Sequence, residues 1–160
     1  MAASRRKIWR IVALLTVVAA VPAIVGLELV LREARIREQE AATRKAEILV
    51  KSKGGYLTVM QGGGEIAVWL SETDISDHDL ETLAPRLAQV PRLAELSLYG
   101  TSITNQGIAY LKAIKGLQHL DLTNTRVTKE GVMGLARFLP RCRIGFGSSS
   151  NPEVWEPIEK

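Results

Sequence analysis

Hydrophobic residues recur with the same spacing in two consecutive stretches of the chain, which begin at Leu93 and Leu117. The first stretch is LAELSLYGTSITNQGIAYLKAIKG and the second is LQHLDLTNTRVTKEGVMGLARFLP, so equivalent positions lie 24 residues apart. Ile144 and Phe146 begin a further copy, in the places of Leu120 and Leu122. Self-similarity at a fixed period of this length is typical of repeat architectures.

Each copy predicts a short strand followed by a helix. Apolar and polar residues alternate at 96–98 and 120–122, which predicts a strand with one buried row of leucines. Thr101 and Thr125 are expected to turn inward and hydrogen-bond neighbouring backbone. Thr104 and Thr128 precede polar pairs and are predicted helix N-caps. The helices should bury apolar stripes at helical spacing, namely Ile108, Leu111 and Ile114 in one copy and Val132, Leu135 and Phe138 in the other.

A β-hairpin is predicted before the repeats. Two strand-like runs, 56–60 and 65–70, flank a Gly-rich turn at 61–64. The turn lacks the Lys-Ser or Lys-Thr of a phosphate-binding loop, so it does not indicate a nucleotide site. The second run leads into a degenerate first repeat, spaced 28 residues from the next, with the extra turn near Pro85. A divergent terminal unit suits the end of a stack.

The N-terminus combines a basic cluster with a long apolar run. MAASRRKIWR precedes residues 11–31, which are interrupted only by Glu28. At about 1.5 Å rise per residue, this run spans roughly 30 Å, the thickness of a bilayer core. It predicts a transmembrane signal anchor, with cleavage as a signal peptide near Val21-Pro22-Ala23 as the alternative. The basic flank predicts a cytoplasmic tail at 1–10 and a single-pass cell-membrane protein with an extracytoplasmic repeat domain.

The remaining boundaries follow from composition. Residues 32–53 are rich in helix formers with interleaved charges and predict a stalk helix, with ion pairs such as Glu33–Arg37 and Glu40–Arg44. Gly54-Gly55 should end that helix, and residues 54–146 form the predicted repeat domain with its hairpin. Residues 147–160 are polar with two prolines, so they are predicted to be mobile, with Trp155 folding back over the open end of the stack.

The unit L-x-x-L-x-L-x-x-T-x-I resembles the leucine-rich repeat, with Thr where that family has Asn or Cys. The basic anchor, charged helix, hairpin and T-x-I-T units ending in Leu139-Pro140-Arg141-Cys142-Arg143-Ile144 resemble bacterial membrane-anchored leucine-rich-repeat proteins. The resemblance implies an α/β fold: a short leucine-rich-repeat solenoid of about three strand–helix units with parallel strands, preceded by a β-hairpin and an N-terminal transmembrane and stalk helix. It implies little about function, since the fold hosts many binding roles.

Charge and cysteine content narrow the function classes. Of the 21 basic residues, Arg5, Arg6, Lys7 and Arg10 precede residue 11, which leaves 17 basic side chains against 17 acidic ones. The predicted repeat domain and stalk are therefore nearly neutral, and no nucleic-acid partner is expected. The single cysteine, Cys142, excludes an internal disulfide and a cysteine-based zinc site, and it is predicted to be a structural thiol.

Residues that flank the buried leucines should face outward on the strand side. The predicted protein-binding face consists of Trp69, Glu95, Ser97, Tyr99, His119, Asp121 and Arg143. Aromatic side chains among polar ones have the composition of a protein-binding hot spot, and Trp69 and Tyr99 are its predicted anchors. The alternative for Trp69 is cover by the hairpin or stalk.

Two groups of residues contain side-chain types that are found in metal sites and in acid–base catalysis. Asp74, Asp77, His78 and Asp79 offer metal-ligand types, but acids in a first helical turn are favoured by the helix dipole whatever the function. His119 and Asp121 resemble an acid–base pair, but only Ser97 accompanies them and no oxyanion arrangement is evident. No catalytic residue, metal, cofactor or small-molecule substrate is therefore predicted.

These observations predict a membrane-anchored repeat module that acts as a protein-interaction scaffold, with the membrane and an unidentified protein as partners. Two alternatives stay open: an exported repeat protein released by signal cleavage, and a structural envelope spacer that binds no specific ligand.

Overall fold

The structure is a computed structural model that describes the backbone of residues 2–157 and the side chains of residues 25–157. The chain divides into two compact units, Met1–Glu38 and Gln39–Lys160. Helix α1, Ala2–Ser52, forms the first unit, and its last turns belong to the second.

Helix α1 runs through the segment predicted as a charged helix and ends at Ser52, just before Gly54-Gly55 as predicted. Glu33 and Arg37 form the predicted ion pair at 3.8 Å, and Glu47 pairs with Lys51 at 2.7 Å. Gly54 has a φ of 81°, a left-handed conformation that glycine adopts without steric cost. The Gly55 amide then donates to the Val50 carbonyl at 3.0 Å, which satisfies a free acceptor at the helix C-terminus.

The predicted transmembrane anchor at residues 11–31 is wrong. Among the residues that the structure describes, no helix is long and apolar enough to cross a membrane. The described side chains begin at Val25, and charged Glu28 and Arg32 follow within two helical turns. The predicted membrane partner and the predicted single-pass membrane location depended on this anchor, so they are wrong as well. The side chains of the basic tail at 1–10 and of residues 11–24 lie outside the described part.

The second unit contains one sheet and three further helices. The strands are β1 Tyr56–Val59, β2 Ile66–Trp69, β3 Leu93–Ser97, β4 His119–Asp121, β5 Arg143–Ser148 and β6 Asn151–Trp155. The helices are α2 Asp77–Leu87, a 3-10 helix Gly107–Ala113 and α3 Lys129–Ala136. The six strands lie in sequence order across a single sheet.

The predicted solenoid of parallel strands is also wrong, because the sheet is mixed. The three central pairings, β2 to β5, are parallel, but β1 and β6 pair antiparallel with their neighbours. The predicted hairpin forms the first edge. At the other edge, residues expected to be irregular form β6, which turns back after Gly147 (φ 87°). Pro152 is tolerated there because the outer side of an edge strand needs no ladder bond.

The repeat register itself is present in the parallel part of the sheet. Leu96 lies opposite Leu120, and Leu120 lies opposite Ile144, so equivalent residues of successive repeats are neighbours. These side chains are fully or almost fully buried in one cluster with the apolar residues of the helices, such as Leu80 and Val132. The helices therefore lie on one side of the sheet, which we call the inner side.

The threonines turn inward as predicted. The hydroxyls of Thr73, Thr101 and Thr125 donate to the carbonyls of Leu70, Leu98 and Leu122 at 2.7, 2.7 and 2.6 Å. Each satisfies a carbonyl three residues earlier, at the point where a strand ends. The residue before each threonine has a left-handed φ: 56° at Glu72, 69° at Gly100 and 58° at Asn124.

The three helices differ although their repeats are similar. Thr128 caps α3 as predicted, its hydroxyl accepting from the Gly131 amide at 3.3 Å. Thr104 precedes a 3-10 helix instead of the predicted α-helix. A 3-10 helix rises about 2.0 Å per residue against about 1.5 Å for an α-helix. The 7-residue 3-10 helix therefore spans nearly the length of the 11-residue α2.

Polar side chains connect the helix starts of successive repeats, and we call this arrangement the polar ladder. Asp77 accepts hydrogen bonds from the Thr104 amide at 2.8 Å and from its hydroxyl at 2.6 Å. In the next repeat, Asn105 accepts from the Thr128 amide at 3.0 Å and donates to its hydroxyl at 3.0 Å. The recurring glycines make room: a Cβ on Gly107 would overlap Asp77, and one on Gly131 would overlap Asn105.

Candidate binding face on the sheet

The predicted binding residues lie together on the outer side of the sheet, opposite the helices. Cross-strand pairing places Trp69, Ser97 and Asp121 in one row and Glu95, His119 and Arg143 in the adjacent row. Strand residues two positions apart share a face, so both rows face the same way. These two rows form what we call the outer face.

Trp69 lies at one end of the outer face and is partly covered by the hairpin. The ring of Tyr56, on β1, stacks on Trp69 with centroids 6.2 Å apart and planes at 20°. Trp69 is half-buried, whereas Tyr56 keeps 55% of its surface exposed. Tyr56 was not predicted as a site residue. Pairing the two predicted strands around their four-residue turn would have placed it opposite Trp69.

Small polar side chains occupy the middle of the outer face and are satisfied within the protein. Ser97 is only 3% exposed and its hydroxyl hydrogen-bonds that of Ser71 at 2.8 Å. Asp121 is half-buried, and its carboxylate accepts from the Thr123 amide at 2.9 Å. Ser97 is therefore not available to a ligand, contrary to its place in the predicted face. Its hydroxyl hydrogen-bonds Ser71 and not His119, so this geometry does not support the acid–base arrangement.

The second row runs from an acidic side chain through a histidine to a basic side chain. Half-buried Glu95 lies opposite exposed His119, and His119 lies opposite exposed Arg143. Arg143 Nε in turn pairs with Glu156 Oε1 at 2.9 Å, just beyond β6. Glu156 is a second residue that the sequence analysis missed, since residues 147–160 were expected to be mobile. Trp155, as expected, packs against the core.

Tyr99 lies beyond the end of β3, at the rim where the strands end. Its hydroxyl accepts from Asn124 Nδ2 at 2.9 Å and lies 3.1 Å from the hydroxyl of Ser149. Asn124 also accepts from the Ser149 amide at 2.8 Å. These contacts connect the β5–β6 turn to two repeats, so Tyr99 has a structural role that its predicted function as a free anchor did not include.

The acidic residues before and within α2 diverge. Asp77 accepts from Thr104, His78 lies 3.4 Å from Glu81, and Asp79 accepts from Lys53 and Ser76. The Lys53 and Ser76 hydrogen bonds lower the pKa of Asp79 to about 2. Within residues 25–157, no group of three or more His, Cys, Asp or Glu side chains is placed to hold a metal ion.

Cys142 is a buried free thiol, as predicted. It lies in the core cluster, and burial raises the pKa of the thiol to about 12. Since the thiolate is the reactive form, this environment suits a packing role.

Cationic side chains line a groove of about 520 Å³ at the end of the sheet where β4 and β5 begin. We call it the basic groove and define it by Lys115, Gln118, His119, Arg141 and Arg143. Only His119 and Arg143 were predicted site residues. Lys115 lies four residues before β4 and Arg141 two residues before β5, so no strand alternation indicated which way they point. Only the parallel register joins them.

No protein-family model matches this chain, and no curated protein matches it. The resemblance to bacterial leucine-rich-repeat proteins therefore stays a prediction.

Proposed function

We propose that the second unit is a non-catalytic protein-binding module and that its outer face forms the contact surface. The observation that carries this proposal is the stacked Trp69–Tyr56 pair beside the row of polar and charged side chains formed by Glu95, His119 and Arg143. Protein interfaces are enriched in aromatic anchors, and they surround these with polar groups that stay partly solvated.

The scaffold supports binding because it orders the side chains before a partner arrives. Trp69, Glu95, His119 and Arg143 project from hydrogen-bonded strands. The stack with Tyr56 further restricts the indole ring. Less conformational entropy is then lost on association than from a loop of the same composition.

The test is affinity capture with the full chain as bait, followed by quantitative mass spectrometry. Trp69→Ala combined with Tyr56→Ala should reduce recovery of a specific partner at least about tenfold, since hot-spot truncations cost roughly 2 kcal/mol or more. We choose Tyr56 and not Tyr99 as the second site, because the Tyr99 hydroxyl connects Asn124 and Ser149.

The matched control is Tyr110→Ala combined with Met133→Ala. These exposed side chains lie on the 3-10 helix and α3, away from the outer face. Urea midpoints should show that both double variants remain folded. Equal capture by the outer-face variant, equal loss in the control, or no specific partner at all would contradict the proposal; the last result would favour the structural spacer.

A further inference from the structure

The basic groove is built by two successive repeats. Lys115 and Gln118 precede β4, and Arg141 precedes β5. Parallel pairing joins the two segments, because the Arg143 amide donates to the Gln118 carbonyl at 2.7 Å. Backbone hydrogen bonds therefore hold the two cation-bearing segments side by side at the end of the sheet where these strands begin.

One of these cations replaces an apolar core residue of the two preceding repeats. Leu93 and Leu117 occupy the same repeat position and are 3% and 2% exposed. Arg141 stands at that position in the last repeat and is exposed. The last repeat thus presents a permanent charge where the two preceding repeats contribute a leucine to the core.

The charges of the groove are mostly positive. Lys115, Arg141 and Arg143 line it together with a single carboxylate, Glu156. Arg143 and Glu156 form their ion pair with 54% and 58% of their side-chain surfaces exposed. Within residues 25–157, no carboxylate lies within salt-bridge distance of Lys115 or Arg141.

Two further acids adjoin the groove without entering its lining. Glu65 accepts a hydrogen bond from Gln118 Nε2 at 3.0 Å, and Glu95 lies opposite His119 in the sheet. Neither carboxylate forms a salt bridge with the groove cations. At neutral pH the lining keeps an excess of positive charge, which fits an anionic ligand.

The chain itself shows what kind of ligand the groove accepts. After β6 ends at Trp155, the next two residues, Glu156 and Pro157, line the groove. A carboxylate side chain of the segment that follows β6 thus already pairs with one cation of the groove, Arg143, while Lys115 and Arg141 remain for further carboxylates.

We infer that the basic groove binds an extended acidic peptide segment of a partner protein, with Glu156 as an intramolecular competitor for Arg143. This inference rests on the proposed function, because His119 and Arg143 also belong to the outer face. A nucleic-acid strand fits less well: the described lining contains no Trp, Tyr or Phe on which bases could stack.

The test measures binding of a fluorescein-labelled, capped hexaglutamate peptide to the full chain by fluorescence anisotropy at low ionic strength. Arg141→Gln and Arg143→Gln should each weaken binding about fivefold or more, and added salt should weaken binding to the wild type. Glu156→Gln should strengthen it roughly twofold to fivefold, since a surface ion pair of this kind contributes up to about 1 kcal/mol.

Two controls make the result specific. Hexaglutamine should not bind, and Arg126→Gln should bind hexaglutamate like the wild type, because Arg126 is exposed but does not line the groove. No binding of hexaglutamate, unchanged affinity in Glu156→Gln, or tighter binding of an oligonucleotide of equal charge would overturn the inference.

The outcome is separable from that of the proposed function. Trp69→Ala with Tyr56→Ala leaves the groove residues intact and should bind hexaglutamate normally. If this variant binds the peptide yet captures partners as well as the wild type does, the outer-face proposal fails alone. If the wild type ignores the peptide while the double variant loses its partner, the groove inference fails alone.

Discussion

Asp77 and Asn105 occupy equivalent positions in the two junctions of the polar ladder, yet the structure holds them differently. Asp77 is half-buried, and a Cβ on Gly107 would also lie 3.1 Å from the Asp77 Cα, which is backbone. Asn105 is exposed, and the three atoms nearest to a Cβ on Gly131 all belong to the Asn105 side chain. The contact between the polar side chain and the glycine of the next repeat is therefore rigid at the first junction and adjustable at the second.

The largest expected effect comes from Gly107→Ala. The new methyl group would overlap the Asp77 carboxylate and lie only 3.1 Å from the Asp77 Cα, so the Thr104 hydrogen bonds would be disrupted and the backbone at this junction would have to shift. We expect the free energy of unfolding to fall by about 3 kcal/mol, measured by urea denaturation. Asp77→Ala should not rescue this loss, because the backbone contact remains; full rescue would show that the first junction is not rigid.

Gly131→Ala should destabilise less, by about 1 to 2 kcal/mol, because Asn105 can turn toward solvent. Adding Asn105→Ala should recover much of this loss, so the double-mutant cycle at this junction should show strong coupling. The control is Gly134→Ala in the same helix, where no atom lies within 4 Å of the new Cβ. That change should be neutral or stabilise by up to about 1 kcal/mol through helix propensity. Additive effects of Gly131→Ala and Asn105→Ala would contradict the comparison.

Asp79 extends the comparison to the start of the stack, since it occupies the repeat position of Gly107 and Gly131. No earlier repeat needs room there, and its carboxylate instead accepts from Lys53 and Ser76. These contacts lower its pKa from 3.8 to about 2. A carboxyl group whose pKa is lower in the folded than in the unfolded protein stabilises the fold at every pH above its unfolded-state pKa. This stabilisation is lost as the pH falls from about 4 to about 2.

The measurement is the unfolding free energy of the wild type and Asp79→Asn as a function of pH. Lys53 is 40% exposed, so solvent screening limits the expected difference to about 1 kcal/mol at neutral pH. The difference should shrink toward zero near pH 2. A difference that stays constant with pH would show that Asp79 acts through packing and not through its charge.

Features set by a few neighbouring residues could be predicted. Leucine alternation and the recurring threonines predicted the strand register, the inward hydroxyls and the α3 cap, since each depends on residues within one repeat. The hairpin and the helix end at Gly54 likewise follow from local turn chemistry. The predicted binding face was placed on one side of the sheet for the same reason.

Features that depend on distant segments were missed. Strand β6 has little local signal, with Pro152 and a polar composition, and it forms because β5 offers an unpaired edge. That pairing makes the sheet mixed and brings Glu156 to Arg143. The stack of Tyr56 on Trp69 and the burial of Ser97 also depend on neighbouring strands.

The apolar run at 11–31 predicted a membrane span that no described helix provides.

The sequence by itself determined the repeat and its internal geometry, because a 24-residue period specifies which side chains are buried and which glycines recur. Only the tertiary structure decided why Gly107 and Gly131 recur, since the side chains that need their space belong to the preceding repeat. It also decided which strands form the two edges of the sheet and which charged side chains meet where β4 and β5 begin. The physical reason is the same in each case: such contacts join residues that are adjacent only after the strands have paired.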